Sequence, residues 1–441
     1  MSTIRYLFNE AGTWNKITNF ISSNHRSVNS QSTLRNFVKN LGAASSNSQI
    51  RSSTEHISSR IESSFSSADR TQSSKFFSGT FSVLSECLVK ITDNLADNEL
   101  PANILTQKTN SIQMFTRKMI VLFLFAGFLG LFPGSFFHNR TPGLDFTGFF
   151  SNRRASSNQL SSFLSYFNTM GSKISQKDPM VNEYVIIQRH HRTPIKENML
   201  ISSTLGLKQT QIISGFMESH NPGGHVVEAI FANKVYGSAT LRNCMNQEEI
   251  VMTVVPETLI GRFFLDDLHD EDSVTIRGVM RYSNYKGFGT DKFTFQSIKE
   301  SEMYMSIPRV YAVVDALSGG SRFREFTLDY ALREINKLIS ALCDDFYGES
   351  EERDRNQFVT GYWGGGVFGG DNQYKFILQL IAACVCNRQL VYSDGLNRLD
   401  VNQIRQIESK YTTCGQLSDA FFKKHRTNSF SKGNALKVML M

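Results

Sequence analysis

Apolar runs of strand length alternate with helical patterns through the second half of the chain. Residues 310–314 form one such run, and a helical pattern follows it at 326–342. This alternation is typical of an α/β domain, in which helices flank a mixed sheet and ligands bind at loops beyond the strand ends. The predicted strands are 211–217, 225–232, 250–255, 273–281 and 310–314, and the predicted helices are 257–265, 326–342, 374–386 and 401–409.

The first half of the chain has a different composition. Residues 1–75 are rich in Ser, Asn and Arg, which is typical of disorder. From Phe77 to Ile91, apolar residues recur at spacings of three and four, which predicts a helix. We therefore expect a disordered tail at 1–75, a helical accessory region at 76–200, the α/β domain at 201–425 and a C-terminal tail at 426–441. The tail also resembles an organelle transit peptide, because basic residues are spaced among Ser and Phe; these are Arg5, Lys16, Arg26, Arg35 and Lys39.

The most apolar segment of the chain runs from Met119 to Phe137 and approaches the length of a membrane span. Gly127, Gly130 and Pro133 interrupt it, which shortens the continuous helix and favours burial in a core. Taken alone, the segment leaves both interpretations open. A membrane-tethered protein is therefore one hypothesis for this chain.

Charge and cysteine usage limit the classes of partner. The formal net charge of +7 is a mild basic excess, compatible with a polyanionic substrate, and no basic run resembles a nucleic-acid arm. We expect no direct readout of nucleic-acid sequence. The six cysteines and the pair His190-His191 lack metal-ligand spacing, so we expect a reduced, intracellular protein with no metal and no cofactor.

Two adjacent carboxylates, Glu248 and Glu249, precede an apolar run. Adjacent acids usually lie on a solvated surface, but this pair begins a buried strand or helix. Partial loss of water raises the pKa of a carboxylate, as a general acid requires, and mutual repulsion separates the two titrations. Carboxylates of this kind can do acid/base work on a glycosidic bond.

Two glycine-bearing loops supply the other candidate site elements. Residues 360–371 place Trp363 and Phe368 among six glycines just before a helical pattern, so backbone N–H groups there can hold a phosphate. Residues 282–289 carry aromatic rings that could stack an adenine. Tight connections and aromatic closure of a core edge are the plainer alternatives. Together with the carboxylates, the loops predict a hydrolase for a substrate of the ADP-ribose type.

These blocks resemble the poly(ADP-ribose) glycohydrolase family, whose fold is a macrodomain with an added helical region. The family signature is three glycines, a short spacer and Gln-Glu-Glu, and here Gly237-Ser238-Ala239 precedes Gln247-Glu248-Glu249 at that spacing. The further matching blocks are Phe231-Ala232-Asn233, residues 282–289, Val314-Asp315-Ala316-Leu317 and residues 360–371. The resemblance extends more weakly from about residue 76 to about residue 424. It aligns residues 120–133 with an internal helix of the family, which favours a core helix over a membrane span.

The chain also departs from the family pattern. Ser238 and Ala239 replace two glycines, Ile230 replaces an Asp, and Tyr362 replaces an Asn. Phe288 replaces the Tyr that stacks adenine, and the aromatic pair after the last strand is missing around Ser393-Asp394. These departures keep a second hypothesis open, namely a catalytically weak ADP-ribose-binding module.

The resemblance implies a function and a role for each site residue. The implied reaction is hydrolysis of ribose–ribose O-glycosidic bonds in poly(ADP-ribose) on ADP-ribosylated proteins, with Glu249 as general acid and base and Glu248 holding ribose hydroxyls. Phe288 would stack adenine, Glu218 would meet its amino group, and Gly365, Gly366 and Val367 would contact the diphosphate. The implied substrate-binding residues are Asn233, Gly237, Ser238, Ala239, Gln247, Tyr285, Phe288, Gly365, Gly366, Val367, Phe368 and Glu218. We expect a monomer in the nucleus or cytoplasm, with mitochondrial targeting left open by residues 1–75.

Overall fold

The computed structural model describes residues 11–97, 104–133, 143–150, 154–220, 226–242, 244–304, 309–318, 324–343 and 357–441. A helical region comes first, with α1 (Ala11–Asn24), α2 (Gln31–Ala44), α3 (Ser48–Ser58), α4 (Ile61–Ser66), α5 (Arg70–Lys75), α6 (Phe81–Asp97), α7 (Arg117–Phe128) and α8 (Arg154–Ser175). The later helices are α9 (Glu197–Ile201), α10 (Gln247–Val254), α11 (Gly261–Phe264), α12 (Glu300–Met303), α13 (Leu328–Leu342), α14 (Asn372–Val385), α15 (Val401–Lys410), α16 (Cys414–Arg426) and α17 (Ala435–Leu440).

The strands of the described chain form one large sheet and one small pair. They are β1 (Ser111–Thr116), β2 (Tyr184–His191), β3 (Gln211–Ile213), β4 (Val226–Ala232), β5 (Asp272–Arg277), β6 (Asn284–Lys286), β7 (Thr294–Gln296), β8 (Arg309–Asp315), β9 (Gln357–Thr360) and β10 (Gln389–Ser393). Eight of them pair in the order β1-β2-β5-β8-β4-β9-β10-β3, and β6 pairs with β7. β8, β4, β9 and β10 run parallel, so their carboxyl ends meet at one edge of the sheet.

Successive residues of β8 point into two different cores. Tyr311 and Val313 belong to a core that includes the helical region, whereas Val310, Ala312 and Val314 belong to a core built with α13 to α17. Side chains of a strand alternate between faces, so each face of this sheet is covered by helices. The predicted α/β class, a macrodomain-like mixed sheet flanked by helices with an N-terminal helical region, is confirmed.

The Ser-rich composition of residues 1–75 predicts a disordered tail, yet residues 11–75 are largely helical. Trp14, Ile17 and Ile21 recur at helical spacing and are buried in the core of the helical region. The polar residues that suggested disorder instead begin helices: the Ser30 hydroxyl accepts the N–H of Thr33, and the side chain of Asn47 caps α3. The prediction of disorder was wrong for these residues, because frequent capping residues and widely spaced apolar residues give a sequence that looks like a low-complexity segment. Residues 1–10 lie outside the described part.

The region 76–200, expected to be a helical accessory region, also supplies two strands. β1 and β2 pair antiparallel with each other, and β2 pairs antiparallel with β5. Residues 76–200 therefore share the main sheet with the second half of the chain.

Residues 426–441 are not a free tail either. α17 buries Leu436 and Met439, and the hydroxyl of Tyr411 donates to the carbonyl of Met439 at 2.7 Å.

The predicted run 250–255 is wrong as a strand, because these residues belong to α10. A continuous apolar run cannot distinguish a buried strand from a buried helix, and every residue of α10 is buried. The predicted strand 211–217 ends at Ile213, and 257–265 forms a 3-10 helix at Pro256–Ile260 followed by α11. The remaining predicted elements, 225–232, 273–281, 310–314, 326–342, 374–386 and 401–409, correspond to β4, β5, β8, α13, α14 and α15 with shifted ends.

The apolar segment 119–137 lies mostly in α7, whose residues 120–128 are all buried. Its last four residues are outside the described ranges. No helix among the described residues has the length and hydropathy needed to span a bilayer.

Candidate active site

Gln247 joins the amino end of α10 to the carboxyl end of β4. β9 pairs with β4 only as far as Glu228, so the strand's peptide groups beyond that residue need other partners. The Oε1 atom of Gln247 accepts the N–H of Phe231 at 2.8 Å, and its Nε2 atom donates to the carbonyl of Ala229 at 3.1 Å. The amide of Gln247 thus replaces a strand neighbour and fixes α10 at the sheet edge.

The carboxylate of Glu248 turns back toward the loop after β4. Its Oε1 atom accepts the N–H of Gly237 at 2.9 Å, and its Oε2 atom accepts the N–H of Asn233 at 3.4 Å. Burial, aided by the nearby charge of Glu249, raises the pKa of Glu248 to about 8, against the opposing effect of these two bonds. Glu248 is therefore expected to carry a proton at neutral pH.

Glu249 is the third residue of α10, and its Oε2 atom accepts the N–H of Asn246 at 2.8 Å. This bond is the reciprocal half of a capping box and holds the side chain at the helix start. Burial raises the pKa of Glu249. The two carboxyl groups thus bond to different backbone N–H groups, and they interact through charge: Glu249 is one cause of the raised pKa of Glu248.

The loop before α10 requires glycine at its first position only. Gly237 has φ of +65°, and a Cβ atom there would lie 3.0 Å from side-chain atoms of Arg262 and Met252. Neither Ser238 nor Ala239 has a positive φ among the described residues, and both are partly exposed. Their side chains are thus accommodated by ordinary backbone angles.

The second glycine loop follows β9 at the same edge of the sheet. Gly365 donates its N–H to the carbonyl of Tyr362 at 2.9 Å, so this N–H is used within the loop. The N–H groups of Gly366, Val367 and Phe368 donate to no group in the part of the chain that the structure describes. Val367 is 78% exposed. The loop tip therefore presents consecutive free donors, the arrangement that binds anions.

A buried cation lies beneath this loop. The ammonium of Lys375 pairs with Glu334 and sits 4.9 Å from the ring centre of Trp363. The indole N–H of Trp363 donates to the carbonyl of Val314 at 3.1 Å, which ties the loop to the end of β8. These contacts make the loop base rigid while its tip stays open.

Aromatic rings from two loops meet beside Glu218. Tyr285 donates its hydroxyl to Glu218 Oε2 at 3.0 Å, and Gln247 donates to Glu218 Oε1 at 3.3 Å. Phe288 and Phe216 are 45% and 37% exposed, with ring centres 6.3 Å apart and an interplanar angle of 25°. The structure thus joins the predicted Glu218, Tyr285 and Phe288 to α10 through Gln247.

Sequence reasoning missed Phe216, Arg281 and Arg262. Arg281 donates to the carbonyl of Glu218 at 2.9 Å, and Arg262 is buried against Gly237. A buried arginine in an apolar helix was the one available signal, since such a charge must have partners. Phe216 carried no signal, because its ring contact depends on the folded loops.

A cavity of about 620 Å³ lies outside the predicted residues. It touches Gly369 of the glycine loop and is otherwise lined by residues of 325–328 and 425–432. Separately, within the described ranges, no three His, Cys, Asp or Glu side chains converge to hold a metal ion.

The fold and the site define an α/β protein of the macrodomain type, with buried paired carboxylates at the sheet edge. Two family models match the chain, both for poly(ADP-ribose) glycohydrolase: its helical domain at residues 68–189 and its Macro domain fold at residues 199–399. The chain belongs to the poly(ADP-ribose) glycohydrolase family.

Curated relatives agree with this membership at low identity. The chain is 26% identical over 231 residues to a probable poly(ADP-ribose) glycohydrolase 2 of Arabidopsis thaliana, covering 43% of this chain and 44% of that protein. It is 28% identical over 174 residues to poly(ADP-ribose) glycohydrolase 1 of Caenorhabditis elegans, covering 36% and 22%. It is 26% identical over 262 residues to poly(ADP-ribose) glycohydrolase 1 of Arabidopsis thaliana, covering 44% and 48%. The matches thus span less than half of each relative.

Proposed function

We propose that this protein hydrolyses ribose–ribose O-glycosidic bonds of poly(ADP-ribose) and releases ADP-ribose. Family membership and the names of the relatives support the substrate class. The observation that carries the proposal is the pair Glu248 and Glu249, buried side by side at the start of α10 with raised pKa values. A carboxyl group whose pKa is raised by burial holds its proton to a higher pH than an exposed one and can deliver it to a leaving oxygen.

In the proposed reaction Glu249 acts first as an acid. Its carboxyl proton moves to the leaving ribose oxygen as the glycosidic C–O bond breaks, leaving a positively charged sugar carbon and the Glu249 carboxylate. The carboxylate then takes a proton from water while the water oxygen bonds to that carbon, which restores the acid. Glu248 holds ribose hydroxyls, and its proton keeps the pair from carrying two negative charges.

The proposed diphosphate site uses the loop 360–371 and the loop that begins at Gly237. The free N–H groups of Gly366, Val367 and Phe368 supply donors for phosphate oxygens. Gly365 would contribute close approach rather than a donor, because its N–H is already used. Gly237, Ser238 and Ala239 face the same edge from the end of β4, and Asn233 is exposed there for the distal ribose.

The proposed base site also lies beside the amino end of α10, where Gln247 donates to Glu218. Phe288 and Phe216 offer exposed ring faces for adenine, and Tyr285 packs beside Phe216 with ring centres 5.4 Å apart. Glu218 is held by Gln247 and Tyr285 and would accept from the exocyclic amino group. In this proposal the bound substrate lies along the sheet edge, with its base at Phe216 and Phe288 and its diphosphate at the loop 360–371.

The test is release of ADP-ribose from purified poly(ADP-ribose). Glu249→Gln should lower the rate by at least about 100-fold, because it removes the proton donor while preserving shape. Glu55→Gln, an exposed residue of α3, is the matched control and should leave the rate unchanged. A Glu249→Gln variant as active as the parent protein would refute the assignment.

A second candidate is an ADP-ribose-binding module of low activity. It is favoured by Ile230, which brings no carboxylate to β4 where the family pattern has Asp. Calorimetry that gives tight ADP-ribose binding without turnover would select this function. Localisation in the nucleus or cytoplasm and a monomeric state remain proposals, to be tested by imaging of the tagged protein and by light scattering.

A further inference from the structure

The loop of residues 237–240 is held from outside the macrodomain strands. Arg262, in α11, donates from Nε to the carbonyl of Gly143 at 2.9 Å and from Nη1 to the carbonyl of Gly237. Gly143 belongs to the segment 143–150 that follows the helical region's α7. One buried guanidinium therefore bridges the helical region and the first residue of the loop.

The other end of the loop is held by α8. The Nε2 atom of Gln159 donates to the carbonyl of Thr240 at 3.2 Å and to the hydroxyl of Thr253 at 3.3 Å. That hydroxyl in turn donates to the carbonyl of Glu249 at 2.7 Å. Gln159 is fully buried, so its amide links the loop end to the helix that carries both carboxylates.

A close backbone approach reinforces this contact. A Cβ atom on Gly148 would lie 2.7 Å from the carbonyl oxygen of Leu241, directly after the loop. The segment 143–150 and α8 thus both pack against residues 237–241. The carboxylate of Glu248, in α10, also contacts this loop, because it accepts the N–H of Gly237.

We propose that Arg262 and Gln159 are positioning residues, through which the helical region holds the loop 237–240 in the shape that receives the diphosphate. This inference rests on the proposed function. Neither residue touches substrate. Arg262 holds the carbonyl of Gly237, the residue whose N–H bonds Glu248, and Gln159 fixes the loop's far end to α10. The helical region then contributes to the substrate site without lining it.

Gln159→Leu is the informative variant. The Oε1 atom of Gln159 has no hydrogen-bond partner within the described structure, so a leucine of similar volume replaces an incompletely bonded amide and should fold. Its matched control is Asn168→Leu, on the same helix, whose amide donates to Gln72 at 2.9 Å and does not reach the loop.

The first readout needs no substrate. Hydrogen exchange at the amides of Ser238, Thr240 and Arg242 should become at least tenfold faster in Gln159→Leu, because the bonds of these N–H groups close the turns that enter, form and leave the loop. Asn168→Leu should leave these amides unchanged. Equal exchange in parent and Gln159→Leu proteins overturns the inference.

The second readout is kinetic. Gln159→Leu and Arg262→Met should weaken ADP-ribose binding and raise KM at least tenfold, with a smaller change in kcat, and Arg262→Lys should recover part of the affinity because an ammonium can still reach the Gly237 carbonyl. Unchanged affinity in a folded Gln159→Leu protein contradicts the inference. If the parent protein binds no ADP-ribose while the loop amides still exchange faster in Gln159→Leu, the proposed function is refuted and the positioning contact is supported.

Discussion

The hydroxyl of Tyr362 donates a hydrogen bond to Oδ1 of Asp394. Each residue stands where the chain departs from the family pattern, one in the glycine loop and one after β10. Asp394 also accepts the N–H groups of Arg398 at 2.9 Å and Leu399 at 3.2 Å, and the Tyr362 ring meets Tyr392 edge-on at 5.9 Å. The two departures therefore support each other and tie the loop to the turn after the last parallel strand.

Tyr362→Phe is expected to lower the free energy of unfolding by about 1 to 2 kcal/mol, because a bond to a carboxylate is lost. Asp394→Asn should lower it by a similar amount, and the double variant by less than the sum. Urea unfolding measures all three. Tyr184→Phe, at an exposed tyrosine, is the control and should be neutral. Strict additivity of the two changes would show that the side chains do not interact.

Much of the site could be predicted because its motifs are local in sequence. Glu248 and Glu249 stand before an apolar run, and the late loop is dense in glycine, so both were found without a structure. Gln247 was predicted as a site residue. Its role as a substitute for a neighbouring strand could not be predicted, because that role depends on where β9 ends. Gln159 bonds a residue 81 positions away, and Arg262 bonds Gly143, which is 119 positions away. Both acceptors are backbone carbonyls, which every residue carries, so no sequence pattern marks these contacts. The prediction of disorder for residues 11–75 failed for a different reason, because serine acts there as a helix-capping residue.

The pH dependence of stability should reveal the raised pKa of Glu248. Between its ordinary value of 4.5 and about 8, the folded protein holds a proton that the unfolded chain releases, so the free energy of unfolding falls as pH rises. The slope for this one proton is at most about 1.4 kcal/mol per pH unit. Glu248→Gln should flatten the decline measured by thermal unfolding from pH 5 to 8.5. Burial also raises the pKa of Glu228, to about 7, so part of the decline in stability with pH remains in both the parent protein and the variant. A variant with an unchanged slope would contradict the raised pKa.

The exposed rings of Phe216 and Phe288 should bind the base. Replacing either with Ala is expected to weaken ADP-ribose binding about tenfold, since stacking of a base on an aromatic ring contributes about 1 to 3 kcal/mol. Affinity for ribose 5-phosphate, which has no base, should change far less. Met199→Ala, at an exposed apolar residue of α9, is the control for general surface effects. Equal losses for both ligands in calorimetry would exclude a base site at these rings.

Two glycines of the late loop should respond differently to a methyl group. Gly364 has φ of +71°, and a Cβ atom there would lie 2.8 Å from Cβ of Ala316 and 2.9 Å from Nζ of Lys375. Gly364→Ala is therefore expected to lower the free energy of unfolding by about 1 to 3 kcal/mol. Gly366 has open space around its Cα atom, so Gly366→Ala should be nearly neutral for stability. Chemical unfolding of both variants decides the point, and equal stability losses would contradict the described loop.

One buried ion pair should contribute strongly to the union of the helical region with the macrodomain. Arg117, at the start of α7, donates to Glu257 at 2.6 Å, and Glu257 also accepts the hydroxyl of Tyr282 at 2.7 Å. Glu257→Gln leaves the buried guanidinium with only the more distant, exposed carboxylate of Glu183 at 3.5 Å, so we expect the free energy of unfolding to fall by about 3 to 5 kcal/mol. Asp419→Asn, in the exposed pair with Lys423, should change it by less than about 0.5 kcal/mol. If the two variants lost equal stability in urea, the buried pair would contribute no more than an exposed one and would not hold the regions together.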